Sequence, residues 1–476
     1  MIVVLSQGCA ANFGDGEKIA RILSQKSEVT FEFPEAKPAH STRAASFSSK
    51  TPANLENAEN STSAANPADF STEKPEAFYL NVCTVKGNAG AMKLLRKAAS
   101  TFPGVPIYIT GCAPNDFREE ALRTVPHVQF TSLKELEDSA ILPTQSAQSP
   151  SSQINARTPD SNKASRNVLR ESPFVGIVNI EEGCLDACAF CSTHLVKGRL
   201  HSFAPQTIVD QVQALVDDGC LEIQLTGQDC ACYGFDIGTN LAELTQRILT
   251  HVNGNYRIRL GMGNPRHVLG YQEALLDCFT DDRIYKFIHI PVQSGSENVL
   301  KAMNRRHTAR DYATLAHAFT ERFRKFTLST DLIVGYPGET DADFNDTLKL
   351  LKETRPTVCN ITRFVARPGT VAARLETSKP THLESASSLA VPDDIKHERS
   401  AILAEAFQQI ALENNREWIG DECTVVTEKQ GYRAGTTIAR NEAYRPVALQ
   451  GSFPAGQTLR VRITDAEPFA LIAKPL

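Results

Sequence analysis

Six short apolar runs alternate with amphipathic helical stretches between residues 174 and 364, and that rhythm restricts the available folds more than any other feature. The runs are FVGIVNI, LEIQLTG, YRIRLGM, KFIHIPV, FTLSTDLIVGYPG and TVCNITRF. Helical patterns fall at 206–218, 240–251, from His267, at 296–322 and at 341–353. Strands joined by helical crossovers run parallel, so this block predicts about six βα units in a complete or partial barrel. Such a barrel carries its chemistry at the C-terminal ends of its strands.

The flanks differ from the centre. Residues 1–140 read as a small parallel α/β domain, with strands at 2–7, AFYLNVC and VPIYIT and helices at 16–26, 88–101 and near 116–124. Within it, residues 36–76 are rich in Ser, Ala, Asn and Pro, a composition expected to be disordered. A similar stretch at 141–172 reads as a linker to a core over 173–410, and ETSKPTHLESASSLAVPDD interrupts the chain before a helix at about 395–416. From 414 to 476, β-rich runs cut by Gly, Pro and Asn predict a small antiparallel barrel. The fold class is therefore α/β with a β-barrel appended.

No apolar run approaches the roughly 20 residues of a membrane helix, and the N-terminus lacks the basic leader of a secretory signal. The twelve cysteines are thus expected in a reducing compartment, the cytoplasm, where clustered thiols bind metal more often than they form disulfides. A net charge of −5 excludes a uniformly basic coat but leaves room for a local basic patch.

Three cysteines, Cys184, Cys188 and Cys191, are spaced C-x3-C-x2-C in EEGCLDACAFCSTHLVKGRLHS, directly after the first barrel strand. Thiolates favour zinc and iron–sulfur clusters. Three thiolates from one loop suit a [4Fe–4S] cluster with one iron left open, and an open position distinguishes a reactive metal site from a structural one. The other reading is a zinc site completed by a distant ligand such as His194 or His201. Three further cysteines, Cys9, Cys83 and Cys112, each end a strand of the first domain. In a parallel sheet those ends share one edge, where ligands bind. Buried packing as small hydrophobes is the alternative for them, and the expected role of Cys220, Cys230, Cys232, Cys278, Cys359 and Cys423.

C-x3-C-x2-C after the first strand of a βα barrel resembles the signature of the radical S-adenosylmethionine (radical SAM) superfamily. The ordered set of the three cysteine strand ends with LTGQDCACYG, RLGMGNP, HIPVQSGSENVLKAMNRRH, STDLIVGYPGETDADF and RFVARPGTVAARL resembles the methylthiotransferases of that superfamily. The resemblance implies that SAM fills the open iron site, and that a second [4Fe–4S] cluster on Cys9, Cys83 and Cys112 takes part in sulfur supply. It implies an enzyme that replaces C–H by C–S–CH3, a flavodoxin- or ferredoxin-type electron donor, and a C-terminal TRAM domain for RNA. The insert between Cys9 and Cys83 is longer than this family leads one to expect.

RLGMGNP, with NVCTVK and TGQDCACYG, resembles the archaeal and eukaryotic branch acting on N6-threonylcarbamoyladenosine-37 of tRNA. Isopentenyladenosine-37 and a ribosomal-protein aspartate are the other substrates in the family, and a non-catalytic zinc-containing RNA-binding protein is the reading from a different class. Gly227, Gln228, Gln293 and Ser294 end barrel strands on the reactive face and are candidates for SAM contact; GYPGET reads as a turn. In the C-terminal segment Lys429, Arg433, Arg440, Arg445, Arg460 and Arg462, with Tyr432 and Tyr444, are candidates for contacting the phosphates and splayed bases of an anticodon loop.

Overall fold

Residues 1–8, 10–34, 74–83, 88–141, 169–377 and 389–476 are described by the computed structural model of the chain. Cys9, residues 36–73 of the insert and residues 142–168 of the linker therefore lie outside the described residues.

The N-terminal unit is a five-stranded parallel sheet built from β1 (Ile2–Ser6), β2 (Val29–Thr30), β3 (Ala77–Cys83), β4 (Ile107–Cys112) and β5 (Gln129–Phe130), in the order β2-β1-β3-β4-β5. Helices α1 (Ala10–Leu23), α2 (Ala89–Thr101), α3 (Asn115–Thr124) and α4 (Leu133–Ile141) alternate with them. Successive side chains of a strand point to opposite faces, and here both faces are covered. Val3 packs with Phe78 and Leu80 on one side, while Ile2 and Val4 pack with Ile19 and Ala20 of α1 on the other.

The central unit opens with β6 (Val175–Asn179), the short β7 (Glu181–Glu182), α5 (Thr193–Lys197) and β8 (His201–Ser202). It continues through α6 (Pro205–Asp217), β9 (Glu222–Thr226), α7 (Leu241–His251), β10 (Arg257–Leu260), α8 (Pro265–Val268) and α9 (Gln272–Cys278). Then come β11 (Phe287–His289), α10 (Glu297–Ala302), α11 (Ala309–Arg322), β12 (Thr327–Val334), α12 (Asp341–Thr354), β13 (Val358–Arg363), α13 (Val371–Thr377) and α14 (Asp393–Arg416). The six barrel strands form two parallel triplets, β6-β9-β10 and β11-β12-β13, and among the described residues no ladder pairs β10 with β11, only an isolated bridge between Ile258 and Ile284 and a Gly263 N–H bond to the His289 carbonyl. The expected partial barrel is thus an open arc with a seam at its middle. Leu403, Phe407 and Ile410 of α14 join the same core as Val178, Leu225, Ile258 and Leu328.

The C-terminal strands β14 (Glu422–Gln430), β15 (Thr436–Asn441), β16 (Pro446–Gln450), β17 (Thr458–Glu467) and β18 (Ala470–Pro475) close into a barrel, β14-β15-β16-β18-β17. It departs from a purely antiparallel barrel at one pair, β16 with β18, which runs parallel. Its β15–β16 turn is wedged under the central arc, where the Lys286 N–H donates to the Glu442 carbonyl at 2.9 Å.

Candidate functional site

The loop bearing Cys184, Cys188 and Cys191 leaves the C-terminal end of β6 and is pinned at its base by the antiparallel pairing of β7 with β8. All three thiols are half-buried. Two accept hydrogen bonds: Cys184 Sγ from the Asp186 N–H at 3.4 Å and Cys188 Sγ from Arg305 Nη1 at 3.5 Å. Burial pushes the Cys188 thiol up to about 11, with Arg305 opposing, while a hydrogen bond from the Cys232 thiol lowers that of Cys184. N–H groups aimed at sulfur match thiolate ligands. Among the described residues, no group of three side chains that includes these sulfurs brings its ligand atoms within 4.8 Å of one another. Three thiolates on one loop, two of them accepting N–H donors, are a donor set that suits an iron–sulfur cluster, and among the described residues neither His194 nor His201 joins them in a tighter group.

An acidic brace ties this loop to the next strand ends. Asp186 accepts from Arg266 Nη1 at 2.7 Å, Asn264 Nδ2 at 2.6 Å and, at 2.9 Å, shares a hydrogen bond with His267 Nε2. Burial raises the Asp186 pKa, but His267, Arg266 and Arg305 outweigh it and hold the carboxyl below its ordinary value. Asp229 accepts from the N–H groups of Asn264 at 2.9 Å and Ala231 at 3.2 Å. Asp186, Asp229 and His267 lie close enough to hold a cation. Their bonds to Arg266 and the backbone make them a structural clamp instead.

Glu181 is the buried acid of the site. Its Oε1 accepts from the Asp229 N–H at 3.0 Å, its Oε2 finds no partner among the described residues, and burial pushes its carboxyl up to about 8. A Cβ on Gly227 would fall 2.0 Å from Glu181 Oε1, so only glycine fits there. The folded state holds the Glu181 proton across a range in which the unfolded chain has lost it. Stability is therefore lost as pH rises from about 4.5 toward 8. Glu181→Gln is expected to gain thermal stability over the wild type progressively between pH 5.5 and 8.5; melting curves that stay parallel would contradict the assignment.

Of the four candidates for SAM contact, Gly227 packs against Glu181 and Gln228 supports the cysteine loop, with Oε1 accepting the Gly183 N–H at 2.7 Å. Gln293 sits at φ +78°, a conformation costly for a non-glycine residue, held by backbone bonds to Asp331 and Ile333 at 2.8 Å each. Ser294 is fully buried, and its hydroxyl bonds Thr347 Oγ1 at 3.2 Å and accepts the Ser296 N–H at 3.1 Å, so its side chain shapes the turn into α10. GYPGET is a turn, as expected, leading into the Thr340 capping box of α12.

Two members of the second cysteine group meet. Cys83 and Cys112 are register partners at the C-terminal ends of β3 and β4. Cys9 lies outside the described residues, but its neighbour Gly8 approaches so closely that a Cβ there would lie 2.8 Å from Cys83 Sγ. Asn12 Nδ2 ties the two strand ends together, donating to the carbonyls of Gln7 at 2.6 Å and Asn81 at 2.9 Å.

The two groups face each other because α1 docks on β6 and α5 touches β4. Asp15 of α1 accepts from Asn179 Nδ2 at 3.0 Å and from Lys197 Nζ at 3.2 Å. Burial opposes the Lys197 charge, but Asp15, Cys112 and Glu182 together lift its pKa above the ordinary value. Burial lowers the Arg367 pKa, against Cys191 on one side and Cys83 on the other. Glu181, Asp186, Lys197, Arg305 and Arg367 were not singled out from sequence. All five lie inside the quoted motifs, and that was the only signal for them.

The C-terminal basic residues divide. Arg433, Arg460 and Arg462 are more than half exposed, and Lys429 and Tyr432 are exposed. Arg440 and Arg445 are corrections. Arg440 bonds Glu428 Oε1 at 2.6 Å and lies over the Tyr444 ring at 4.4 Å. Arg445 is buried, its guanidinium donating to Asn414, Asn415, Phe326, Thr327 and Thr357, and burial lowers its pKa to about 10. Tyr444 donates to Glu222 Oε1 at 2.9 Å beneath the arc and is not a platform for a base.

Residues 178–351 match the Radical SAM superfamily, and residues 416–476 match the TRAM domain. A protein of Pyrococcus horikoshii named probable threonylcarbamoyladenosine tRNA methylthiotransferase is 34% identical over 457 residues, covering 94% of this chain and 93% of that protein. One of the same name from Archaeoglobus fulgidus is 40% identical over 297 residues, 62% of this chain and 66% of its own length. The human threonylcarbamoyladenosine tRNA methylthiotransferase is 32% identical over 310 residues, 65% of this chain and 51% of that protein. Among the described residues, no helix is long and apolar enough to cross a membrane.

Proposed function

The chain belongs to the radical SAM methylthiotransferase family that acts on threonylcarbamoyladenosine in tRNA, and we propose that its two cysteine groups hold two [4Fe–4S] clusters across one reaction space. It is an enzyme, converting N6-threonylcarbamoyladenosine-37 of tRNA to the 2-methylthio product, with an iron–sulfur cluster and SAM as cofactors. The register pairing of Cys83 with Cys112, beside the loop of Cys184, Cys188 and Cys191, is the observation that carries the two-cluster reading.

A cluster held there would supply the electron for reductive cleavage of SAM, the chemistry by which an unreactive C–H bond is opened to methylthiolation. The protein's residues hold and shield that chemistry. Cys184, Cys188 and Cys191 would hold the cluster, Gly227 lets the backbone pack directly against Glu181, and Gln228 braces the loop through the Gly183 N–H. Cys9, Cys83 and Cys112 hold the second cluster in this reading. An electron donor of the flavodoxin or ferredoxin type and a cytoplasmic location complete the proposal.

The exposed face of the TRAM barrel, with Lys429, Arg433, Arg460 and Arg462, is proposed to hold tRNA phosphates. Arg433→Ala is expected to weaken tRNA binding and to flatten its salt dependence, read from filter binding at several salt concentrations. Unchanged affinity and slope would move the RNA surface elsewhere.

Mass spectrometry of tRNA nucleosides, from cells lacking and expressing the gene, tests the substrate. The 2-methylthio derivative of threonylcarbamoyladenosine should depend on it. Dependence of the isopentenyladenosine derivative instead, or of a modified ribosomal protein, would redirect the assignment.

A further inference from the structure

We infer that Arg305 is a positioning residue whose guanidinium, fixed to the barrel rim and donating to the Cys188 sulfur, sets how readily the SAM-binding cluster accepts an electron. This rests on the reading that Cys184, Cys188 and Cys191 hold that cluster.

Three consecutive residues grip three consecutive residues of the cysteine loop. The Met303 carbonyl accepts the Ala189 N–H at 2.9 Å, Asn304 Nδ2 donates to the Ala187 carbonyl at 2.8 Å, and Arg305 Nη1 donates to Cys188 Sγ at 3.5 Å. The loop's backbone is thus held by its neighbours on either side, and Arg305 is left to act on the sulfur. Its anchor is elsewhere: Nη2 donates to the Pro291 carbonyl at 2.5 Å, just past β11. Among the described residues its buried Nε finds no partner, so the two terminal nitrogens carry its bonds.

Cys184, by contrast, receives only neutral donors, the Asp186 N–H and the Cys232 thiol. Arg305 therefore places a permanent positive charge against one ligand of the three. Adding an electron to an iron–sulfur cluster increases negative charge on its sulfurs, and a cationic donor stabilises that state. The guanidinium raises the cluster's reduction potential. Without it, the same reductant would populate the reduced cluster less.

The test is an anaerobic redox titration of the full chain, following the EPR signal that responds to added SAM. That response separates this cluster from the proposed second one. Arg305→Gln keeps a donor without charge, Arg305→Met keeps neither, and Arg305→Lys keeps the charge without the fork. Gln and Met should shift the midpoint to more negative potential by at least a tenfold change in the reduction equilibrium, about 59 mV for one electron. Lys should recover part of it. Wild-type iron content with an unchanged midpoint in Gln and Met would overturn the inference. So would loss of iron from all three folded variants, which would make Arg305 a holder of the loop only. Absence of iron from the reconstituted wild type would instead defeat the cluster reading beneath it.

Discussion

Cys83→Ala or Cys112→Ala is expected to abolish methylthiolation while SAM is still cleaved, whereas Cys184→Ala, Cys188→Ala or Cys191→Ala should abolish both. The separation follows from where the thiols sit. Cys83 and Cys112 end neighbouring strands of the N-terminal sheet, and the other three occupy one loop of the central arc. Removing a ligand from the first group leaves the loop's base pairing and its acidic brace untouched. Cys9→Ala should behave as Cys83→Ala does, since Gly8 already rests against the Cys83 side chain. The checks are deoxyadenosine release for SAM cleavage and nucleoside mass spectrometry for product. Full methylthiolation by the Cys9, Cys83 and Cys112 variants would remove the second cluster from the reaction.

The second large effect is on stability. Arg445→Ala would strand five acceptors beneath the central arc, the carbonyls of Asn414 and Phe326 and the side chains of Asn415, Thr327 and Thr357. An unsatisfied buried polar group costs about 1–3 kcal/mol, and partial relaxation keeps the sum below simple addition, so a loss of about 3–5 kcal/mol is expected. Denaturant unfolding of the C-terminal barrel should show it. Arg433→Ala, whose partner Glu467 is itself exposed, should stay within about 0.5 kcal/mol of the wild type. A loss under about 1 kcal/mol for Arg445→Ala, with weakened tRNA binding, would return that residue to the RNA surface.

That contrast marks what the sequence could and could not say. Apolar runs, helical crossovers and cysteines at strand ends are local patterns, and they predicted the parallel sheet, the six central strands and the placing of Cys83 and Cys112 at one sheet edge. A basic residue in a β-turn carries no local sign of which way it points. Arg445 and Tyr444 find their partners at Thr327 and Glu222, more than a hundred residues away, and only the docked barrel reveals them. The same distance hid Arg305, which reaches Cys188 from the connection between α10 and α11. Ser294 looked available from its place after a strand, but α12 covers it through Thr347. The seam between β10 and β11 was equally silent, because a strand of three residues resembles any short apolar run.

Mössbauer spectroscopy of anaerobically reconstituted protein, with and without SAM, reaches the central claim most directly. The account predicts about eight irons per chain in two cubane clusters, with one iron of the cluster on Cys184, Cys188 and Cys191 changing its environment when SAM is added. Four side-chain ligands around every metal and spectra indifferent to SAM would contradict it.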